Sequence, residues 1–163
     1  MATQPGGFLA VLGRLWNLFS NRDCLTLPCP RRLWPASIFI RHVDAGSSND
    51  CEPEITALSN PLYDFERFGF HIVASPRHAD VLLVTGPFTR SMEAAALAAF
   101  RAMPEPRRVV TVGDGLQEGH LFCDSYAVVP LPEELAAARV DHVLGDPPTP
   151  RRILDVLLTL DTQ

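Results

Sequence analysis

Short apolar runs alternate with polar stretches along most of this chain, and their lengths are those of strands buried in a sheet. An unbroken apolar run is typical of a parallel strand, because helices cover both faces of a parallel sheet. We therefore predict a buried strand over residues 80–86, further strands over residues 37–43 and 108–113, and a weaker last strand over 140–144. Residues 125–129 form either a short strand or the start of a helix.

Apolar residues recur at helical spacing in three segments of the same region, which predicts helices over residues 54–59, 94–102 and 151–160. Pro53 is acceptable in the first turn of the first helix, where its missing N–H has no helical partner in any case. Thr89 is a candidate N-cap residue of the second helix.

Residues 8–19 carry the strongest helical pattern outside this region. Their apolar residues, which include Trp16 and Phe19, recur at helical spacing, whereas the polar ones lie on the opposite side. Such an amphipathic helix suits a membrane surface or a groove in a partner protein, and packing on its own domain is the alternative. Because a proline-rich segment follows, we divide the chain into residues 1–35, the helix with its linker, and residues 36–163.

The alternation of strands with helices predicts a three-layer α/β fold of the flavodoxin-like type, with a parallel sheet between helices. In such a sheet the carboxyl ends of the strands share one edge, and functional sites form there. The loops that follow Val43, Gly86, Gly113 and Leu144 are therefore expected to meet at one edge of the sheet.

The length of 163 residues fits one domain that is large enough to bury a core. The net charge of −5 is uneven, since residues 1–45 hold five arginines against two aspartates and the rest is acidic. An acidic body argues against nucleic acid as a partner. The cysteines at positions 24, 29, 51 and 123 lack zinc-site spacing. With no secretory signal and no membrane-spanning apolar run, we expect reduced cysteines and a cytoplasmic location.

Motifs of the common enzyme classes are missing from the sequence, which has no G-x-S-x-G, P-loop or G-x-G-x-x-G. Residues 113–115 form a tight turn after a strand but lack a phosphate-binding pattern. His42 and His71 fall on strand-like segments, where we expect hydrogen-bonded structural histidines. We therefore predict no catalytic residue.

Residues 44–54, D-A-G-S-S-N-D-C-E-P-E, follow the first strand and read as an iron–sulfur cluster loop that lacks one cysteine. Two thiolates three residues apart can reach adjacent corners of one cluster, and thiolate sulfur is the usual ligand of such clusters. Here Cys51 is present, whereas Ser48 stands at the position of its partner. The loop therefore keeps the form of a redox loop with one of its two thiolates.

Several further stretches, in order along residues 25–160, resemble a single family. They are YDFERFG at 63–69, ASPRHADVLLVTGPFT at 74–89, MPEPRRVVTVGD at 103–114, SYAVV at 125–129 and GDPP at 145–148. With residues 41–54, they make the chain similar to the small, cluster-bearing subunit that complex I shares with membrane-bound energy-converting nickel–iron hydrogenases. The hydrogenases of the hydrogenase-4 and formate hydrogenlyase type are the more similar.

The resemblance implies four cysteine positions that hold one 4Fe–4S cluster in the family. These lie in G-S-C-x-x-C-E, V-G-D-C and P-G-C-P-P, and in this chain they hold Ser48, Cys51, Gly115 and Asp146. Serine and aspartate oxygens are harder donors than sulfur, and glycine has no side chain. We therefore expect no cofactor or metal and a vestigial polar pocket. An unusual 4Fe–4S cluster and a mononuclear metal at Cys51 and Asp146 are the alternatives.

The resemblance also implies protein partners. In the family the cluster loop and the D-x-E-R-F-G segment face a large catalytic subunit, so Glu52, Glu54 and Arg67 are candidate partner-binding residues. Ordinary solvated charges are the alternative for these three. Trp16 and Phe19 are the candidate contacts to a membrane surface or to membrane subunits.

The expected function is that of a structural, redox-degenerate subunit of a complex I- or hydrogenase-like assembly. It would link a large-subunit relative to an ion-translocating membrane arm, on the cytoplasmic face of a bacterial inner membrane. The first alternative is a working electron-transfer subunit of an NADH-quinone oxidoreductase or hydrogenase-type complex, with an unusual 4Fe–4S cluster. A free-standing flavodoxin-like binding protein is the second.

Overall fold

The computed structural model describes residues 37–117 and 119–160, so the predicted helix over residues 8–19 lies outside the described residues. The strands are β1 (Ile38–Asp44), β2 (Phe70–Ile72), β3 (Val81–Thr85), β4 (Arg108–Val112) and β5 (Arg139–Val143). The helices are α1 (Cys51–Ala57), α2 (Arg90–Ala102), α3 (Glu133–Ala137) and α4 (Pro150–Thr159). Short 3-10 helices lie at Phe65–Phe68, Pro76–His78 and Asp114–Leu116.

The five strands of the described region are all parallel and hydrogen-bond in the order β2-β1-β3-β4-β5. This is the strand order of flavodoxin-like folds, in which the direction of progress across the sheet reverses between β1 and β3. The predicted α/β fold with a parallel sheet is therefore confirmed. No helix within the described ranges is long and apolar enough to cross a bilayer.

The core lies between the sheet and its helices. On one side, α2 buries Ala96 and Phe100 in a single apolar cluster with Leu82, Val84 and Val109 of the sheet. The apolar face of α4 is buried where this helix contacts α1 and β5. All five residues of β3 are buried, as the unbroken apolar run of a central strand predicts.

The predicted elements differ from the structure mainly at helix starts. α1 begins at Cys51 instead of residue 54, and α2 begins at Arg90 instead of residue 94. The first turn of each helix is mainly polar or holds proline, so the spacing of apolar residues does not register it. β2 was recognised only as a strand-like segment around His71, and α3 was not predicted, because elements of three and five residues are too short to show a period.

Residues 125–129 form neither a strand of the sheet nor the start of a helix. Val128 makes an isolated antiparallel bridge with Thr89, and the Val129 N–H donates to the Phe88 carbonyl over 2.9 Å. The segment therefore lies beside the turn that precedes α2. Its backbone hydrogen bonds go to this turn instead of to a strand of the sheet.

Candidate functional site

The loops that follow β1, β3, β4 and β5 meet at the carboxyl edge of the sheet, as predicted. Backbone bonds continue beyond the strand ends: the Ala45 N–H donates to the Thr85 carbonyl at 3.1 Å, and the Gly113 N–H donates to the Val143 carbonyl at 3.0 Å. Functional sites of such sheets form beside the reversal of strand order, here between β1 and β3. We call the meeting place of these loops the rim; it comprises residues 45–51, 86–88, 113–115 and 144–148.

Two of the four predicted cluster positions lie together at the rim. Cys51 is buried at the start of α1, and its thiol donates a hydrogen bond to Asp146 Oδ1 at 3.7 Å. Gly113 lies against this pair, since a Cβ there would be 3.3 Å from Cys51 Sγ and 3.8 Å from Asp146 Oδ1. Ser48 is exposed, and its hydroxyl donates to Asp50 Oδ2 at 2.6 Å. Ser48 is therefore not hydrogen-bonded to the pair.

The third position, Gly115, is buried against the loop that follows β3. A Cβ on Gly115 would lie 2.6 Å from Pro87 Cδ and 2.9 Å from Pro87 Cα, and it would be closer still to the Pro87 nitrogen. These atoms belong to the backbone and the proline ring, so they cannot rotate aside as a flexible side chain would. The space that a side chain at position 115 needs is therefore filled by the neighbouring loop.

Glu52 organises a polar cluster beside Cys51. Its Oε1 accepts a hydrogen bond from Thr85 Oγ1 at 2.6 Å, and its Oε2 accepts one from Ser47 Oγ at 2.6 Å. Because the Thr85 hydroxyl donates to Glu52, it accepts from His42 Nε2, which lies 3.1 Å away. The cluster joins β1, the loop after it, α1 and the end of β3 through hydrogen bonds to one carboxylate.

Burial sets the protonation of two groups at this edge of the sheet. It raises the pKa of the Cys51 thiol to about 12, and the negative charges of Asp146 and Glu52 act in the same direction. The thiol therefore stays protonated at neutral pH, whereas thiolate is the form that binds metals. Burial also lowers the pKa of His42, and the nearby charge of Glu52 opposes this shift without reversing it.

Two aspartates outside the Glu52 cluster also fix rim loops. Asp114 Oδ1 accepts a hydrogen bond from the Gly145 N–H at 2.7 Å, which joins the loops after β4 and β5. Asp44 Oδ1 accepts from the N–H groups of Gly46 and Ser47, both at 2.8 Å, and so fixes the turn after β1. Carboxylates thus hold the rim loops at several separate places.

The donor chemistry of the rim does not match an iron–sulfur cluster. A 4Fe–4S cubane is held by four thiolates, whereas the four positions supply one buried thiol, one carboxylate, one exposed hydroxyl and one glycine. Among the residues that the structure describes, no three His, Cys, Asp or Glu side chains are placed to hold a metal ion together. Cys123 is exposed, and Cys24 and Cys29 lie outside the described residues.

The candidate partner-binding residues differ in what they contact. Both carboxylate oxygens of Glu52 accept hydrogen bonds from within the chain, and Glu54 is half-buried on α1. Arg67 is exposed, with its guanidinium carbon 4.7 Å from the centre of the Phe68 ring. Trp16 and Phe19 lie outside the described residues, together with the rest of residues 1–35. Partner binding by these five residues stays a prediction.

Sequence reasoning did not single out Ser47 and Thr85, the two hydroxyl partners of Glu52. Thr85 was visible as the polar end of an apolar run, but its hydrogen bond to Glu52 joins residues that are 33 positions apart and is evident only from the structure. The contact of Gly115 with Pro87 joins two loops that are distant in sequence, so no local pattern predicts it.

Comparison with known proteins identifies relatives of this chain. The family model described as "NADH ubiquinone oxidoreductase, 20 Kd subunit" matches residues 49–160. Formate hydrogenlyase subunit 7 of Escherichia coli is 42% identical over 152 residues, which cover 85% of this chain and 59% of that protein. The chain therefore spans about three fifths of the length of that relative. The probable membrane-bound hydrogenase subunit mbhJ of Pyrococcus furiosus is 42% identical over 128 residues, which cover 77% of this chain and 75% of that protein.

A solved structure shares the fold. It is a chain of the membrane-bound sulfane sulfur reductase, an archaeal respiratory membrane complex, with a TM-score of 0.64 and 24% sequence identity over 77% of this chain and 69% of that chain. At this identity, the likeness shows the fold alone. The family model, by contrast, covers well over half of the sequence and includes α1 and most of the rim. The chain therefore belongs to the family of the 20 Kd subunit of NADH ubiquinone oxidoreductase.

Proposed function

We propose that this chain is a subunit of a membrane-bound complex related to complex I and to the energy-converting hydrogenases. Family membership supports this, as do relatives that are named as subunits of a formate hydrogenlyase and of a probable membrane-bound hydrogenase. The parallel sheet and the loops at its carboxyl edge provide the framework for such a subunit.

Within this complex, the chain has a structural role and carries no redox centre. The observation that carries this conclusion is the pairing of Cys51 with Asp146 beside a Gly115 that is packed on Pro87. The Cys51 thiol is engaged by the Asp146 carboxylate, and position 115 has neither a side-chain donor atom nor room for one. The rim therefore serves as protein surface and scaffold.

The scaffold would link a large-subunit homologue to membrane subunits of the same complex, on the cytoplasmic face of the membrane. On the large-subunit side, the exposed Arg67 guanidinium supports the assignment, because arginine binds partner carboxylates bidentately. On the membrane side, the apolar spacing of residues 8–19, with Trp16 and Phe19, supports contact with the bilayer surface or with membrane subunits.

Affinity purification through a tag on this chain, from membranes solubilised in mild detergent, tests the assembly. We expect a large-subunit homologue and several membrane subunits to co-purify in constant ratio, as mass spectrometry would report. A monodisperse monomer in the soluble fraction, with no co-purifying subunit, would contradict the proposal and favour a free-standing binding protein.

Electron paramagnetic resonance of the dithionite-reduced complex tests the absence of a redox centre. Wild type, Cys51→Ala and the control Cys123→Ala are expected to give the same spectrum, because any signal comes from other subunits. A signal that is present in wild type and in Cys123→Ala but absent in Cys51→Ala would assign a cluster to this chain. That outcome would favour the alternative, a working electron-transfer subunit.

A further inference from the structure

We propose that the rim is closed by its own backbone and by carboxylate hydrogen bonds, so that restoring the missing cysteines does not restore a cluster. This inference rests on the proposed absence of a redox centre and goes one step beyond it. A site that has only lost ligands would accept a cluster again once the ligands return. A site that has been rebuilt would not.

The first closure is a direct backbone contact between three successive rim loops. A Cβ on Gly86 would lie 2.7 Å from Ser47 Cβ and closer still to the Ser47 backbone, so the loop after β3 lies directly on the loop after β1. On its other side, Pro87 fills the space beside Gly115 in the loop after β4. Glycine makes such approaches possible because it has no side chain, and Gly86 also has a φ of +71°.

The second closure consists of carboxylate hydrogen bonds between the same loops. Glu52 binds Ser47 of the loop after β1 and Thr85 at the end of β3. Asp146 in the loop after β5 accepts from Cys51 of α1, and Asp114 connects the loops after β4 and β5. These bonds connect the loops that carry all four predicted cluster positions. Hydrogen bonds therefore hold together the same loops that a cluster with four ligands would hold together.

The two closures oppose cysteine restoration at different positions. A cysteine at position 115 must place its Cβ where Pro87 now lies, so the loop after β3 has to move away. That loop follows directly from Thr85, which Glu52 holds, and it rests on Ser47. A cysteine at position 146 also removes the acceptor of the Cys51 thiol. Restoring the ligands therefore disrupts the contacts that shape the rim.

The test is a full-length triple variant, Ser48→Cys with Gly115→Cys and Asp146→Cys, reconstituted anaerobically with ferrous iron and sulfide. We expect less than about one iron per chain and no broad absorption near 400 nm, against about four irons for a complete cubane. About four irons per chain, with that absorption, would overturn the inference. Ser48→Cys with Asp146→Cys, which keeps Gly115, is the matched variant for non-specific iron uptake.

A second pair of variants tests the inference even if the triple variant fails to fold. Gly115→Ala is compared with Gly119→Ala, because a Cβ on Gly119 would meet nothing within 4 Å although its φ is +79°. We expect Gly115→Ala to lower the Tm more than Gly119→Ala does, since only the former pushes a side chain into Pro87. A Tm for Gly115→Ala that is equal to or above that of Gly119→Ala would show that the rim has room, and would overturn the inference.

The two proposals fail in different ways. A cluster in the native chain would contradict the proposed structural function. A native chain without a cluster, combined with a triple variant that binds about four irons, would contradict only the closure of the rim and would leave the structural function standing.

Discussion

Cys51 has surroundings opposite to those of a reactive or metal-binding cysteine. Such cysteines sit near positive charge with a lowered pKa, whereas Cys51 is buried beside Asp146 and Glu52. Burial, together with the negative charges of Asp146 and Glu52, raises its pKa to about 12, so the thiol is protonated at neutral pH. At the scale of the residue, Cys51 is a hydrogen-bond donor to Asp146.

Alkylation by iodoacetamide at neutral pH tests this state. In the native chain, Cys51 is expected to react at least about 100-fold more slowly than the exposed Cys123, because both its burial and its pKa limit the thiolate. Asp146→Asn removes a nearby negative charge and is expected to speed the reaction of Cys51, while the control Asp155→Asn on α4 leaves it unchanged. Residue-resolved mass spectrometry measures the rates, and equal rates for Cys51 and Cys123 would contradict this account.

Histidine burial makes the stability of the fold depend on pH. Burial lowers the folded-state pKa of both His42 and His142 below the usual value of 6.5. The unfolded chain therefore binds protons more readily, so their stabilising contribution is present above about pH 6.5 and is lost as the pH falls below it. We expect the free energy of unfolding to decrease on acidification from pH 7.5 to 5.5.

The variant His42→Gln tests the assignment of this pH dependence. It removes one of the two histidines, so the decrease between pH 7.5 and 5.5 is expected to become smaller, as denaturant titrations would measure. The exposed His78 provides the matched control, and His78→Gln should leave the slope unchanged. An identical slope in His42→Gln and wild type would contradict the role of His42.

The residues that line the rim were predictable only in part. The role of Ser48, Cys51, Gly115 and Asp146 as former cluster positions stays a prediction. The alternation of strands and helices predicted that their loops meet at one edge of the sheet, because the carboxyl ends of parallel strands converge. It did not separate the exposed Ser48 from the buried Cys51, since the orientation of a side chain depends on where α1 begins. Protonation also escaped prediction, because it depends on burial.

At the scale of the element, Thr89 has a different role from the predicted one. It does occupy the N-cap position of α2, but its side chain makes no capping hydrogen bond to the helix. Its hydroxyl instead donates to the Ala45 carbonyl at 2.6 Å, and its N–H donates to the same carbonyl at 2.9 Å. Thr89 therefore fastens the start of α2 to the loop after β1.

Substitution of this threonine tests the connection between α2 and the rim. Thr89→Val keeps the shape of the side chain but loses its hydrogen bond, and is expected to lower the free energy of unfolding by about 1 kcal/mol. Thr149 holds the equivalent N-cap position of α4 and makes no side-chain cap bond, so Thr149→Val is the control with a smaller effect. Equal losses in the two variants would contradict this role of Thr89.

The sequence pattern predicted best those elements in which buried positions are apolar and exposed positions are polar. β3 and β4 lie in the interior of the sheet and are mostly apolar, and α4 shows one buried face. The edge strand β2 and the segment 125–129 depend on their neighbours for hydrogen bonds, so their state is decided by tertiary contacts. Local pattern carries no information on such partners.

At the scale of the whole molecule, the rim gathers four loops at one edge of a parallel sheet, and Arg67 presents an exposed guanidinium on the segment before β2. Fold and family were recognisable from sequence, because the motif order along the chain follows the order of these loops. The partners were not, because an interface depends on the sequences of both chains.

Charge reversal at Arg67 tests the proposed contact with a large subunit. In Arg67→Glu, a partner carboxylate would face a like charge, so the yield of co-purified large subunit is expected to fall several-fold at physiological salt. Arg152, exposed on α4, provides the control, and Arg152→Glu should leave the yield unchanged. Unchanged co-purification with Arg67→Glu would argue against Arg67 as an interface residue.

We propose that this chain has kept the scaffold of its family and carries no iron–sulfur cluster. The most direct test is the content of iron and acid-labile sulfide in the full-length chain, purified without exposure to oxygen. We expect less than about one iron per chain and the same value for Cys51→Ala. About four irons and four sulfides per chain, lost in Cys51→Ala, would contradict it.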